Sequence, residues 1–507
     1  MGKSKGLRRV GFVLLALALF VAAGCQAVGG LDFNETIKRS LKVTSAEGKQ
    51  TVEFRMLLDE EELAEQDPED VRLIRLLSDI RLEMDSFRME NENRLSAQGS
   101  LSFGDRRVGY SLYIDDERLT VELEGAKQPF VLDLSSLEED VDGTAADQET
   151  MTELAHRLID EASGYLVGNL PNPERLTVAP ATETIGGEQL SLLRAEMEMN
   201  VQELWPWLMK YFDALIADKE GLRDMLLSVV GAMRDYPELW GGENPFDSDG
   251  LSDEEAAEQA ADELMAVLKS LRDELNAAKE EGMFPLEMFS EETYLKAVLY
   301  VDSKLDIRKS EVEAKIAPNL EDTDGVKAIV IRSVSEMWNI GGSAKADAPD
   351  LAGGSLDAMK LADMQPYQLL RQFDEGSTLY GLLKNDFHIG RQSVMFFPFD
   401  DNPPIVLPSG VTLVPLRETA RQFGATVTYK NKTVTVSDEA TGTTIAIKPG
   451  SNQVKINGKT VKWAVPATAV QGAIYVPARD LAKALGGTVK WKSLYGDEKL
   501  LVLEREV

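Results

Sequence analysis

One cysteine in 507 residues, Cys25, leaves no partner for a disulfide within the chain. Histidine is almost as scarce. His156 and His388 are the only two, too few for a His-rich zinc site or for two independent His-based catalytic centres. Neither G-x-x-x-x-G-K-[ST] nor G-x-G-x-x-G occurs, which removes the usual phosphate-cradling loops. Basic charge is in deficit, with 54 Lys and Arg against 86 Asp and Glu, a formal −32. A bulk field of that sign excludes attraction to nucleic acid and repels anionic lipid headgroups. The combination argues against an enzyme and calls for no cofactor and no metal.

Hydrophobic residues at 43% are enough to build cores, and the length fits two or three domains of roughly 100 to 200 residues each. Lys3, Lys5, Arg8 and Arg9 precede an uncharged run from Val10 to Ala23. That is a positive n-region, an apolar h-region and a small-residue cleavage site, shorter than the about 20 residues of a membrane span. Ala22, Ala23 and Gly24 directly before Cys25 resemble the bacterial lipoprotein signal, although Ala22 stands where that family prefers Leu. The resemblance implies a signal peptide at 1–24, diacylglycerol on Cys25, a tether at 25–31 and a place on the extracytoplasmic face of the cell membrane. An ordinary signal peptide with an incidental Cys is the alternative. Loss of residues 1–24 takes away four basic and no acidic residues, leaving −36. Lipid, and not charge, is then the means of attachment, and two acyl chains hold where one is marginal.

Residues 32–340 read as the first folded region. A short amphipathic helix at 34–46, with Ile37, Leu41 and Val43 apolar, precedes a strand at 51–58. A helix opens at Pro68 with Glu69 and Asp70 in its first turn. Alternation of period two then predicts strands at 81–90, 94–103, 108–114, 119–123 and 130–134, an antiparallel meander with one wet face. A helix at 149–166 interrupts it, and a hairpin at 175–184 and 189–199 resumes it around Gly186-Gly187. Two apolar helices follow at 201–217 and 219–236, carrying Trp205, Trp207, Tyr211 and Phe212. Ser252 and Glu255 form a capping box for a helix that uses Ala261, Leu264, Leu268, Leu271 and Leu275. Strands return at 293–302, 304–316 and 326–333. The order predicts an α+β fold, a curved antiparallel sheet with helices on one face.

A lipoprotein signal, an early helix around Glu35 to Lys42 and a long meander with helices on its concave side resemble the lipoprotein-carrier (LolA-like) half-barrels. The resemblance implies an apolar cavity for an acyl chain or similar ligand, with Trp205, Trp207, Tyr211 and Phe212 on its lid. Ordinary core packing is the other reading of those four aromatics.

The stretch 341–355 has a flexible-linker composition, and 356–392 reads as a helical adaptor. The last region, 393–507, contains an internal repeat at a spacing of 62. Thr412-Leu413-Val414-Pro415-Leu416-Arg417 recurs as Ile474-Tyr475-Val476-Pro477-Ala478-Arg479. Each is followed by a short helix ending in Gly and a strand with an aromatic, Tyr429 or Trp491. Between the halves, 443–448, 453–456 and 460–463 form a ladder around Pro449-Gly450 and Asn457-Gly458. This pattern resembles the copper amine oxidase N-terminal-like (stalk) domain. It implies a smaller α+β domain with two similar halves, an accessory module without the oxidase's copper site or quinone. Residues 396–507 contain no His, Cys or Met, so the usual soft and imidazole copper ligands are missing.

Arg417 and Arg479 are the candidate contacts, since paired guanidinium groups suit carboxylate or phosphate on a wall polymer. Salt-bridged structural roles are the alternative. Asp247-Ser248-Asp249-Gly250 has part of a calcium-loop pattern. Aligning Gly250 with the loop glycine, however, puts Pro245 at the first ligand and Ala256 where the bidentate Glu belongs. The sequence therefore leads to a non-catalytic, lipid-anchored envelope protein that binds or spaces against cell wall or an envelope partner. The alternative is a carrier or sensor of an apolar ligand.

Overall fold

The computed structural model describes residues 29–134, 158, 160–235, 251–280, 289–319, 325–493 and 499–507. Cys25 and its signal, His156, most of the helix expected at 149–166, and Asp247 to Gly250 lie outside the described residues. The chain is mixed α/β and divides into two compact units, Met1–Leu123 with Val131–Ala352 and Glu124–Phe130 with Gly353–Val507.

The first unit is built on one antiparallel sheet. Its strands are β1 (Ala46–Leu58), β2 (Asp79–Asn91), β3 (Arg94–Phe103), β4 (Arg106–Ile114), β5 (Arg118–Leu123), β6 (Phe130–Asp133), β7 (Arg175–Ile185), β8 (Glu188–Asn200), β9 (Tyr294–Val301), β10 (Ile307–Ile316) and β11 (Val326–Trp338). Their order is β6-β5-β4-β3-β2-β1-β11-β10-β9-β8-β7. Two meanders are thus joined where the first and last strands pair, Thr51 opposite Val334.

Register sorts the side chains. One row runs Met197, Ala297, Val312, Ser333, Val52, Leu82, Leu101, Val108 across eight strands, each paired with the next. Helices cover this face at its β7 to β10 end. Ile37, Trp207, Val167 and Leu170 pack on Met197, Met199 and Ala297, and Leu31 and Phe33 pack on Ala195, Leu299 and Val301. One residue along each strand lies the opposite face, where a row reads Arg175, Glu198, Lys296, Glu313, Arg332, Glu53, Arg81, alternating in sign over seven strands. Arg175 lies 2.9 Å from Glu198, Lys296 3.3 Å from Glu198 and Arg81 3.7 Å from Glu53. Opposite charges directly across a ladder stabilise a pair by roughly 0.2–1 kcal/mol.

Helix starts follow local chemistry. Asp32 accepts from the Glu35 backbone N–H at 3.0 Å and starts Phe33–Ser40. Asn200 and Glu203 exchange capping bonds at the start of Val201–Ala217, as Ser252 and Glu255 do ahead of Asp253–Glu280. The first helix stops at Ser40, short of the expected 46, because the β-branched Val43 and Thr44 lead into β1. Leu41 is accordingly 52% exposed. In Asp253–Glu280 the inward stripe is Ala257, Ala261 and Met265, while Leu264 and Leu271 are exposed. The alanines let this helix approach Leu215, Leu222 and Leu226 closely.

The Gly- and Ala-rich stretch from 341 is anchored where free movement was expected. Gly341 donates to Ser45, Ala346 to Glu90 and Asp347 to Ser96, and Ala344 and Ala346 are buried. Small side chains let the backbone lie flat on the sheet and use its polar groups there.

In the second unit the repeat folds as two equivalent halves. Strands Thr412–Pro415 and Ala473–Pro477 pair antiparallel with Val414 opposite Val476. Because 414 and 476 are equivalent positions, the pairing sets a local two-fold axis between them. Pro415 and Pro477 cap the helices Leu416–Gln422 and Ala478–Ala484. Gly424 and Gly486 follow at φ +78° and +79°, the left-handed residue that ends a helix without a Cβ penalty. The core joins both halves: Val414 with Val476, Leu416 with Ala478, Ala420 with Ala482, Phe423 with Leu485. Only these first strands share a sheet. The returning strands Thr426–Lys430 and Gly487–Ser493 belong to a five-stranded and a three-stranded sheet respectively.

Candidate functional site

Two places gather the residues singled out by sequence. In the first unit, Trp205 and Trp207 are interior, 4% and 5% exposed, whereas Tyr211 and Phe212 are half-buried. The Trp207 indole N–H donates to the Pro171 carbonyl at 2.8 Å, and its ring stacks on Tyr211 at 6.0 Å. Tyr211 donates to the Leu166 carbonyl at 3.0 Å, and burial pushes its pKa up to about 12. Tyr165 donates to the Leu215 carbonyl at 2.7 Å. These polar atoms donate to backbone carbonyls of neighbouring segments, at Leu166, Pro171 and Leu215.

In the second unit a cavity of about 530 Å³ opens beside the first repeat helix, lined among others by Arg417, Glu418, Arg421, Val427, Tyr429 and Ile474. Arg417 and Arg421 sit one turn apart and both are exposed. Glu418 is held above the ordinary carboxylate range by burial first and then by Asp400 and Asp401, against a bond from Asn402 that pulls it down. The second repeat places the same types at the same spacing. Arg479 and Lys483 are exposed, and Asp480 accepts from the Ala464 backbone N–H at 2.7 Å. Residue 464 is the repeat equivalent of 402, so each half ties its acid to the same internal position. Arg417 and Arg479 stand on separate helices, each in its own half.

Between the halves lies a residue the sequence reading missed. Arg505 is buried and all five of its N–H groups are used. Its Nε donates to Gln392 at 2.6 Å. Nη2 donates to the Phe423 carbonyl at 2.7 Å and Nη1 to the Leu485 carbonyl at 3.3 Å, while both reach the Asp438 carboxylate. Phe423 and Leu485 are equivalent positions, each closing its helix, so the guanidinium serves the carbonyl ends of both helices at once. No spacing rule flags it, because its five acceptor atoms come from four distant segments, at residues 392, 423, 438 and 485.

Among the described residues no group of three or more His, Cys, Asp or Glu is placed to hold a metal ion, and no helix is long and apolar enough to cross a membrane.

A family model, the copper amine oxidase N-terminal domain, matches residues 392–496. That domain is non-catalytic. It spans about a fifth of the chain. No curated protein matches the chain.

Proposed function

We propose that this chain is a non-catalytic protein of the cell envelope, held at the membrane through lipid on Cys25, whose C-terminal module binds or spaces against cell-wall polymer or an envelope partner. The match of residues 392–496 to a non-catalytic domain carries the reading. Composition supports it, since an acidic chain with one Cys in a small-residue cleavage context has lipid as its means of attachment. Detergent-phase partition of the full chain against Cys25→Ser tests the anchor. The natural chain enters the detergent phase and the variant stays in water; identical partition overturns the anchor. Retention of the full chain on purified peptidoglycan tests the wall contact, and passage without retention removes it.

A second reading, a carrier of an apolar ligand, is favoured by the half-buried inner row Val52, Leu82, Leu101, which lies beyond the strands that Ile37 and Trp207 cover. Native mass spectrometry of the full chain would then show a co-purified lipid, and a clean apo mass counts against it.

A further inference from the structure

The repeat duplicates more than a core. Each half presents two cations one turn apart on its helix, Arg417 with Arg421 and Arg479 with Lys483, all exposed. Each also presents a large aromatic on the strand that follows, Tyr429 at 58% and Trp491 at 44% exposed. All three positions recur at the spacing of 62. None of the four cations makes an ion pair or hydrogen bond with a described residue, whereas the acids beside them, Glu418 and Asp480, are engaged by residues 402 and 464. The positive groups therefore face solvent without a bonded acid, with Glu418 lining the same cavity in the first half. In the first half they share one cavity with the aromatic.

An aromatic face beside guanidinium groups suits a sugar ring that carries an acid. The ring's apolar face packs on the aromatic, and the carboxylate or phosphate takes charge-assisted bonds from Arg. Charge balance points the same way. Residues 392–496 hold twelve Lys and Arg against six Asp and Glu, a formal +6 inside a chain of −32. The sign is reversed in the one segment that carries both sets.

We propose that the second unit holds an anionic glycan at two equivalent sites, Arg417, Arg421 and Tyr429 in one half and Arg479, Lys483 and Trp491 in the other. This rests on the wall-contact reading above and names its ligand class. One polymer strand that engages both sites makes its second contact intramolecularly, so weak single sites give firm retention.

Calorimetric titration of the full chain in detergent, with trigalacturonate, long polygalacturonate, wall teichoic acid and neutral dextran, tests it. The chain takes up two equivalents of a short acidic oligomer and binds dextran at least tenfold more weakly. Uronate alone marks carboxylate as the recognised group, and teichoic acid alone marks phosphate. Arg417→Ser with Tyr429→Ala lowers the stoichiometry for the short oligomer to one and weakens the long polymer by about a hundredfold or more. Arg479→Ser with Trp491→Ala does the same, and all four together abolish binding, with hydrogen exchange at the paired strands around Val414 and Val476 unchanged because every substituted side chain is exposed. No binding of either anionic polymer, equal binding of dextran, or a stoichiometry unmoved by both pairs of substitutions overturns the proposal. Retention on peptidoglycan that survives the fourfold variant fells these sites and leaves wall contact standing; a natural chain that is never retained fells the wall reading itself.

Discussion

The Arg505 guanidinium and the Asp438 carboxylate face each other with no appreciable solvent on either, 0% and 1% exposed. Nη2 to Oδ1 is 3.1 Å, and Thr441 supplies a further donor to the same carboxylate. A buried ion pair is weak evidence of stability by itself, since desolvation offsets its Coulomb energy. Here the arginine also satisfies two helix-end carbonyls and Gln392, so its removal leaves several buried acceptors unpaired.

Arg505→Met is therefore expected to destabilise the second unit by about 3–5 kcal/mol, the range for breaking one side of a buried pair. Because the chain has two units, a single melting curve does not isolate this one. Hydrogen exchange at the paired strands around Val414 and Val476 does. Adding Asp438→Leu recovers only part of the loss, because the carbonyls of Phe423 and Leu485 still lack donors. A loss below about 1 kcal/mol for Arg505→Met would contradict the role assigned to it.

Glu418 gives a pH dependence with a definite sign. Burial, then Asp400 and Asp401, raise its pKa in the fold above the ordinary value of 4.5. The fold thus binds this proton more tightly than the unfolded chain does. The resulting stability is fully present below 4.5 and is lost as pH rises through the raised folded value. At neutral pH the ionised Glu418 opposes folding. Glu418→Gln should raise the stability of the second unit, read by hydrogen exchange around Val414 and Val476, at pH 7 and leave it nearly unchanged at pH 4. An equal shift at both pH values would show that the effect is packing and not charge.

Legibility in the sequence followed the range of the interaction. Period-two alternation located β2 to β5, β7 and β8, and capping pairs such as Ser252 with Glu255 located helix starts, because both signals lie within a few residues. Which stripe of Asp253–Glu280 turns inward was decided by close approach of alanines to neighbouring helices, so Leu264 and Leu271 were misassigned. The linker composition at 341 spoke of intrinsic freedom and was silent on the backbone bonds to Ser45, Glu90 and Ser96. The repeat pointed to Arg417 and Arg479, and its spacing extends to Tyr429 and Trp491. Arg505 lies past both repeats and is specified only by tertiary partners.

The charged row on the outer face of the first unit yields the remaining prediction. Arg332 stands between Glu313 on β10 and Glu53 on β1, directly opposite each, and its side chain is 47% exposed. Arg332→Glu sets three acids side by side across three strands. The 4.0 Å ion pair of Arg332 with Glu311 is lost and both directly opposite neighbours become like charges, which are destabilising by amounts similar to the about 0.2–1 kcal/mol that opposite charges contribute. The total loss should be about 1–2 kcal/mol at low ionic strength. Salt screens exposed charges, so the gap between variant and natural chain should narrow as salt rises toward 1 M, where the Debye length is about 3 Å. Arg332→Gln, which removes attraction without adding repulsion, should lose about half as much and respond less to salt. Equal losses for both variants, or a gap indifferent to salt, would mean that the row is ordered by packing of the aliphatic stems and that its alternating signs contribute nothing.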